Sequence, residues 1–156
     1  MEILKMQYAS IQSSRNVVLT HLEQMGPAAL TMPVPAFNNK HLAGMAIHIS
    51  NVYVHWIGNF ALQQGLSYLD ESEPATIQNL KDGFARADNV MELFFREFKE
   101  TLLTELSNTI NGRLVNTTPL TVFTHVCTHE FHHKGQMMSM SRLLGHVSPD
   151  TDIIRT

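Results

Sequence analysis

The chain has 156 residues, of which 44% are hydrophobic and 16% charged, and its formal net charge is −3. Such a chain can bury a substantial core, and we expect residues 1–156 to form a single domain. The slight acidic excess and the absence of a lysine- or arginine-rich run argue against nucleic acid and against an anionic membrane surface as partners.

The first helical block is predicted from about Glu2 to Met25, because apolar residues recur there at steps of three, four or seven. The pair Gly26-Pro27 ends this block. Pro33 and Pro35 are expected to keep the following stretch out of helix.

A second helical block is predicted from about Lys40 to Gly65. Asn38 and Asn39 are candidate N-caps for it, since a short polar side chain can accept a hydrogen bond from the first helical turn. The segment Leu66 to Ala75 contains acidic residues and Pro74, and is predicted to be a connection.

The third block has the cleanest helical spacing in the chain, and Thr76 is its candidate cap. Apolar residues alternate there at steps of three and four, which indicates one buried seam of the kind found in helical bundles. The seam consists of Ile77, Leu80, Phe84, Ala87, Met91, Phe94, Phe98 and Leu102. Asn111-Gly112 is expected to close this region.

The fourth block opens at Thr118-Pro119, an N-cap followed by proline at the first helical position, and ends at Gly145. No segment alternates convincingly with the period of two that strands require. The predicted fold is therefore all-α, a four-helix bundle.

The two histidine-rich blocks carry the main functional signal. His129 and His133 lie four residues apart in the fourth block, so both imidazoles share one helix face and can reach a single metal ion. In the second block His41, His48 and His55 recur every seven residues on one face. The spacing favours the pair at 129 and 133 plus one histidine of the second block, with His48 as the best candidate.

An alternative interpretation comes from His129-Glu130-Phe131-His132-His133, which satisfies the H-E-x-x-H pattern of zinc metallopeptidases with the glutamate as general base. Ser139 occupies the position where the extended form of that pattern has its third ligand. No strand is predicted that could hold an extended peptide. We therefore rank the peptidase below the other functions.

The stretch THVCTHEFHHKGQMMSMSRLLG, residues 124–145, resembles the final helix of the DinB-like/YfiT-like superfamily, whose hallmark is His-x-x-x-His followed by Arg/Lys-Gly-Gln. The tail at residues 148–152 and the segment HLAGMAIHISNVYVHWIGN, with Trp56 as its aromatic, are also similar to that superfamily. One departure is Lys134, where arginine is common, so a bidentate contact would be lost.

This resemblance implies a four-helix bundle with a crossover between its second and third helices, often a homodimer. It implies a divalent metal (Zn, Ni or Fe) bound by His48, His129 and His133. Some members are similar to transferases that join a low-molecular-weight thiol to an electrophile, so both small molecules are expected partners if the protein is an enzyme. The competing class is a non-catalytic metal-binding stress-response protein. No catalytic residue is assigned.

Several other residues have simpler interpretations. Cys127, the single cysteine, excludes an internal disulfide, favours a cytoplasmic location and is expected to be a buried inert thiol. Neither a secretory leader nor a membrane span is expected. Lys134 and Gln136 are expected at the surface or at a helix end. Arg15 and Glu130 are the polar residues most suspected of a structural or ligand-supporting role, and the roles of His55 and His125 stay open.

Overall fold

A computed structural model describes residues 1–73 and 75–155, and these residues are mostly helical. The elements in chain order are α1 (Glu2–Met25), α2 (Pro27–Thr31), α3 (Leu42–Tyr53), α4 (Ile77–Glu97), β1 (Leu106–Ile110), β2 (Arg113–Thr117) and α5 (Pro119–Leu143). A 3-10 turn spans Pro35–Phe37, and α3 continues directly into a π-helical segment, Val54–Ala61.

The first helix has the predicted bounds, and Gly26 ends it because its positive φ of 84° breaks the helical path. The stretch after it was predicted to be non-helical, which is wrong in part. Pro27 begins the short helix α2, since proline is well tolerated in a first helical turn, where its missing N–H leaves no bond unmade.

The second predicted block is present, but its start differs from the prediction. The N-cap of α3 is His41, whose Nδ1 accepts a hydrogen bond of 2.9 Å from the Gly44 amide. Asn38 and Asn39 instead take left-handed backbone conformations in the preceding turn. The π-helical continuation ends at Ala61, so the helical path stops before the predicted end at Gly65.

A β-hairpin that the sequence analysis missed lies between α4 and α5. Strands β1 and β2 pair antiparallel, from Leu106 opposite Thr117 to Ile110 opposite Arg113. Asn111 and Gly112 both have positive φ, as a two-residue hairpin turn of type I′ requires. The same dipeptide was interpreted as the end of a helical region, and the strands are too short for their alternation to be recognised.

Helices α4 and α5 begin at their predicted caps, Thr76 and Thr118. Helix α4 ends at Glu97, before the seam does, yet Phe98 and Leu102 still pack against the core from the turns that follow. The predicted connection between α3 and α4 has no regular structure where it is described, and Pro74 lies outside the described residues.

The core is formed where α3 and its π-helical continuation pack against α4 and α5, with α1 also contacting α4 and α5. Its largest fully buried aromatic side chains are Tyr53, Phe60 and Phe94. A mostly helical fold was correctly predicted, whereas α2 and the hairpin are additions to the expected four helices. In the described part of the chain, no helix is both long and apolar enough to span a membrane.

The Thr76→Ala substitution is expected to lower the free energy of unfolding by about 1 kcal/mol. The Thr76 hydroxyl accepts a hydrogen bond from the Asn79 amide and donates one to the Asn79 side chain, which in turn accepts from the Thr76 amide. The substitution removes the partner of the Asn79 amide and the contact that holds the Asn79 side chain near the Thr76 amide. Chemical denaturation would measure the change. Thr124→Ala is the matched control, because Thr124 is exposed within α5 and only bonds back to the Leu120 carbonyl. An equal loss in both variants would contradict the capping role.

Candidate metal centre

Helices α3 and α5 bring His48, His129 and His133 together. One nitrogen of each imidazole lies within 4.8 Å of the others. The Nε2 atoms of His129 and His133 are 3.1 Å apart, and the His48 ring lies 5.2 and 4.8 Å from their ring centroids. The arrangement that the sequence analysis required is therefore present, while the bound metal itself stays a prediction.

Two side chains orient these imidazoles through their Nδ1 atoms. The Glu71 carboxylate can only accept, so the His48 Nδ1–H donates to its Oε1 at 3.1 Å. His133 Nδ1 lies 2.7 Å from Gln136 Oε1, whose amide nitrogen faces His132. In both rings the Nδ1–H tautomer leaves the Nε2 lone pair free, as a metal ligand requires.

The electrostatics favour neutral imidazoles. Burial, followed by the neighbouring His133 and His48, lowers the pKa of His129 to about 4. Burial also lowers the pKa of His133, although its hydrogen bond with Gln136 opposes the shift. Because protons and metal ions compete for the same lone pairs, His129 and His133 are ready to bind a metal at neutral pH.

The three imidazoles fit a divalent ion. Two nitrogens bound at about 2.0–2.1 Å in a tetrahedral arrangement lie about 3.3–3.4 Å apart, close to the distance between the two Nε2 atoms of α5. The Nδ1 of His129 is buried and lacks a hydrogen-bond partner within residues 1–73 and 75–155, a feature that functional sites tolerate. All three rings are partly exposed, so a further ligand can approach.

Glu130 faces the protein interior and lacks the freedom of a general base. It is 3% exposed, and both carboxylate oxygens accept hydrogen bonds of 2.8 Å from Arg15. The Tyr53 hydroxyl donates a third bond of 2.6 Å. Arg15 also pairs with Asp88 at 2.6 Å. Of the two roles left open for Arg15 and Glu130, the contacts favour the structural one, and Glu130 is not placed to activate water beside the histidines.

The other histidines of the two blocks lie around the centre. A row of rings extends from His129 to the π-helical segment. His125 lies 5.8 Å from His129 and stacks edge-on to Trp56 at 5.1 Å, and Trp56 in turn contacts His55. The hydroxyl of Tyr68 lies 2.8 Å from His55 Nδ1. His132 is exposed and makes its hydrogen bond with Gln136.

The two surface predictions on α5 have different outcomes: Gln136 is partly exposed, whereas the prediction for Lys134 is wrong. Lys134 is 6% exposed rather than a surface residue, and its ammonium donates to Ser14 Oγ and the Thr151 carbonyl. Gln136 supports His133, and its spacing of three residues from that histidine was the signal available for finding it. Glu71 had no such signal, because it lies in the connection after α3. Cys127 is buried as expected, and burial raises its pKa to about 12.

Gly44→Ala is expected to disturb the support of His48. A Cβ at this position would lie 2.5 Å from the Glu71 carbonyl oxygen, so the segment that carries the Glu71 carboxylate must move. We expect a loss of about 1–3 kcal/mol in the free energy of unfolding. Metal affinity should fall by about 10–100-fold, as for other lost ligand-orienting contacts. Denaturation and metal titration would measure both.

Gly135→Ala is the control for this prediction. Gly135 also lies in a helix near the histidines, but a Cβ there meets no heavy atom within 4 Å. Its replacement should raise stability by up to about 1 kcal/mol through helix propensity. Unchanged metal affinity in Gly44→Ala would show that the Glu71 segment does not support the centre.

Comparisons with known proteins identify the family and the fold to which the chain is similar. The family model described as the DinB family matches residues 2–156. Among solved structures, the chain is similar to the DinB-like protein YjoA from Bacillus subtilis, with a TM-score of 0.67 and 19% sequence identity. That match covers 97% of this chain and 99% of the other, and at this identity it bears on the fold alone. A comparison with curated proteins gives no match.

Proposed function

Because the chain belongs to the DinB family, we propose that it is a metal-dependent transferase that joins a low-molecular-weight thiol to an electrophile. One observation carries the proposal: three imidazoles converge at a partly exposed position, and hydrogen bonds at Nδ1 leave the Nε2 lone pairs of His48 and His133 free. Structural zinc sites are usually closed by four ligands and often use thiolates, whereas three imidazoles leave a position for a substrate.

His48, His129 and His133 would hold the divalent ion. A metal ion bound by neutral ligands keeps its full charge and lowers the pKa of a coordinating thiol, which is the chemistry the group supplies. Glu71 and Gln136 keep two of the rings in the tautomer that can bind. Zinc, nickel and iron all suit imidazole ligands, so the donor set leaves the choice of metal to its supply.

The transfer itself requires a simple exchange of bonds. The thiol loses its proton to solvent, and a sulfur lone pair forms a carbon–sulfur bond with the electrophile. The bond from that carbon to the leaving group breaks, and the leaving group departs with its electron pair. The row of rings formed by His55, Trp56, Tyr68 and His125 adjoins His129 and supplies a surface on which a planar electrophile can stack.

The engagement of Glu130 weighs against the peptidase alternative. A peptidase of this kind needs the glutamate beside the bound water, but here its oxygens are taken up by Arg15 and Tyr53. A non-catalytic metal-binding protein would share the three histidines. Only an assay of chemistry separates it from a transferase.

The deciding experiment compares metal-free protein with protein loaded with zinc, nickel or iron. Each form is incubated with a panel of small thiols and electrophiles, and the thioether product is measured against a protein-free background. We expect thioether formation that depends on metal and disappears in His129→Ala, with no cleavage of peptides. Rates equal to background with every pair would favour the non-catalytic class, and metal-dependent peptide cleavage would favour the peptidase.

A further inference from the structure

A pocket of about 360 Å³ opens beside the candidate metal centre. Its volume falls within the range of small-molecule sites, roughly 300–1,000 Å³. The wall includes His48, so a molecule in the pocket reaches the candidate metal centre from the His48 side. The remaining lining residues are Asn38, Asn39, Lys40, His41, Gly44, Met45, Glu71 and Ser72.

Lys40 is the cation of this pocket, and it differs from the other lysines of the chain. Among residues 1–73 and 75–155, its ammonium has neither an ion-pair partner nor a side-chain hydrogen bond. The partners of the other lysines are Glu2 for Lys5, Glu23 for Lys81, Glu100 for Lys99, and Ser14 for Lys134. The free positive charge therefore lies in the pocket that adjoins the histidines.

The backbone of Lys40 is held on both sides. Its carbonyl accepts from the Val34 amide at 2.9 Å, and its amide donates to the Phe37 carbonyl at 3.0 Å. The next residue, His41, caps α3. The lysine therefore projects from a defined point at the start of the helix that carries His48, and its charge contributes to the lowered pKa of His133.

Among the residues that line the pocket, Glu71 is the acidic one, and one of its oxygens is already engaged within the chain. Glu71 accepts from His48 and from the Asn51 amide group. Asp70, next to it in the sequence, accepts from the amide and hydroxyl of Ser72. A ligand that enters the pocket thus meets two charged groups: the Lys40 ammonium, which lacks a side-chain partner among the described residues, and the Glu71 carboxylate, whose Oε1 is held by His48 and Asn51. A single ammonium suits a carboxylate, whereas a phosphate dianion is usually bound by more donors.

We propose that the thiol substrate carries a carboxylate that pairs with Lys40 while its sulfur faces the three histidines. This inference rests on the proposed transferase function and adds the substrate class to it. The geometry requires a compact thiol, because the pocket that contains Lys40 also contains His48. Lys40 acts on binding through its charge and takes no part in the bond exchange.

The test uses the full chain loaded with cobalt(II), because a thiolate bound to cobalt gives a charge-transfer absorption that reports binding without turnover. Three thiols of similar size are titrated: 3-mercaptopropionate with a carboxylate, 2-mercaptoethanol without charge, and cysteamine with an ammonium. We expect 3-mercaptopropionate to bind about tenfold more tightly than 2-mercaptoethanol, as a hydrogen bond to a charged group allows. Cysteamine should bind most weakly, and added salt should reduce the preference.

Substitutions then assign the preference to the lysine. Lys40→Gln should remove it without loss of cobalt, Lys40→Arg should retain it, and Lys99→Gln, an exposed lysine elsewhere, should change nothing. Equal affinity for the acidic and neutral thiols would overturn the inference and leave the transferase standing. A preference that survives in Lys40→Gln would also overturn it, because the carboxylate would then bind the metal or another group. Absence of the charge-transfer band with every thiol would instead count against the transferase itself.

Discussion

Replacing Arg15 with methionine is expected to lower the free energy of unfolding by about 3–5 kcal/mol. The Arg15 side chain is 4% exposed and neutralises Glu130, whose carboxylate is equally buried. Burial alone would lower the pKa of Arg15, but the charge and hydrogen bonds of Glu130 outweigh it and raise that pKa. Without the guanidinium, a buried carboxylate is left with the Tyr53 hydroxyl as its one partner among residues 1–73 and 75–155. Chemical denaturation would measure the loss.

Lys81→Met is the matched control for this prediction. Lys81 pairs with Glu23 at 3.0 Å, but both side chains are about half exposed, so its loss should cost less than about 1 kcal/mol. The double variant Arg15→Met/Glu130→Leu should be more stable than Arg15→Met, because no charge is left buried without a partner. If Arg15→Met and Lys81→Met lost the same stability, the buried pair would not be the main electrostatic contact of the core.

Replacing any one of His48, His129 and His133 with alanine is expected to abolish stoichiometric metal content. Two imidazoles would remain. Removing a group that only orients a ligand typically lowers metal affinity by about 10–100-fold, and we expect the loss of a ligand itself to lower it further. Elemental analysis of protein purified without a histidine tag would measure the content. The helical circular dichroism should stay unchanged, since the core lies among other side chains and does not depend on the metal.

His132→Ala is the control for the metal prediction. His132 is adjacent to His133 in the sequence but is exposed and bonds to Gln136, so its removal should leave the metal content near that of the unmodified protein. Full metal content in His48→Ala would show that a residue other than His48 supplies the third ligand. Unfolding of the metal-free protein would show that the helices require the ion, which the apolar seams make unexpected.

Some residues of the candidate site could be predicted from local sequence patterns, whereas others depend on contacts between distant parts of the chain. The spacing of His129 and His133 is a local property of one helix, so the sequence was enough to place both imidazoles on one face. His48 was the best candidate among three equally spaced histidines of the second block, and the family resemblance then singled it out. Glu71 could not have been found, because its contact with His48 joins a helix to an irregular segment 23 residues later.

For the fold, the sequence by itself determined the main helices and the caps of α4 and α5, because periodicity and capping act within a few residues. Only the tertiary structure revealed the hairpin, the cap at His41 and the burial of Lys134. The hairpin and the cap at His41 are formed by nearby residues, but two five-residue strands and a histidine cap give too weak a local pattern to be recognised. The burial of Lys134 depends on a more distant contact, because its ammonium donates to the Thr151 carbonyl 17 residues later. The direction of Glu130 was decided in the same way, because its partner Arg15 lies 115 residues away in the chain.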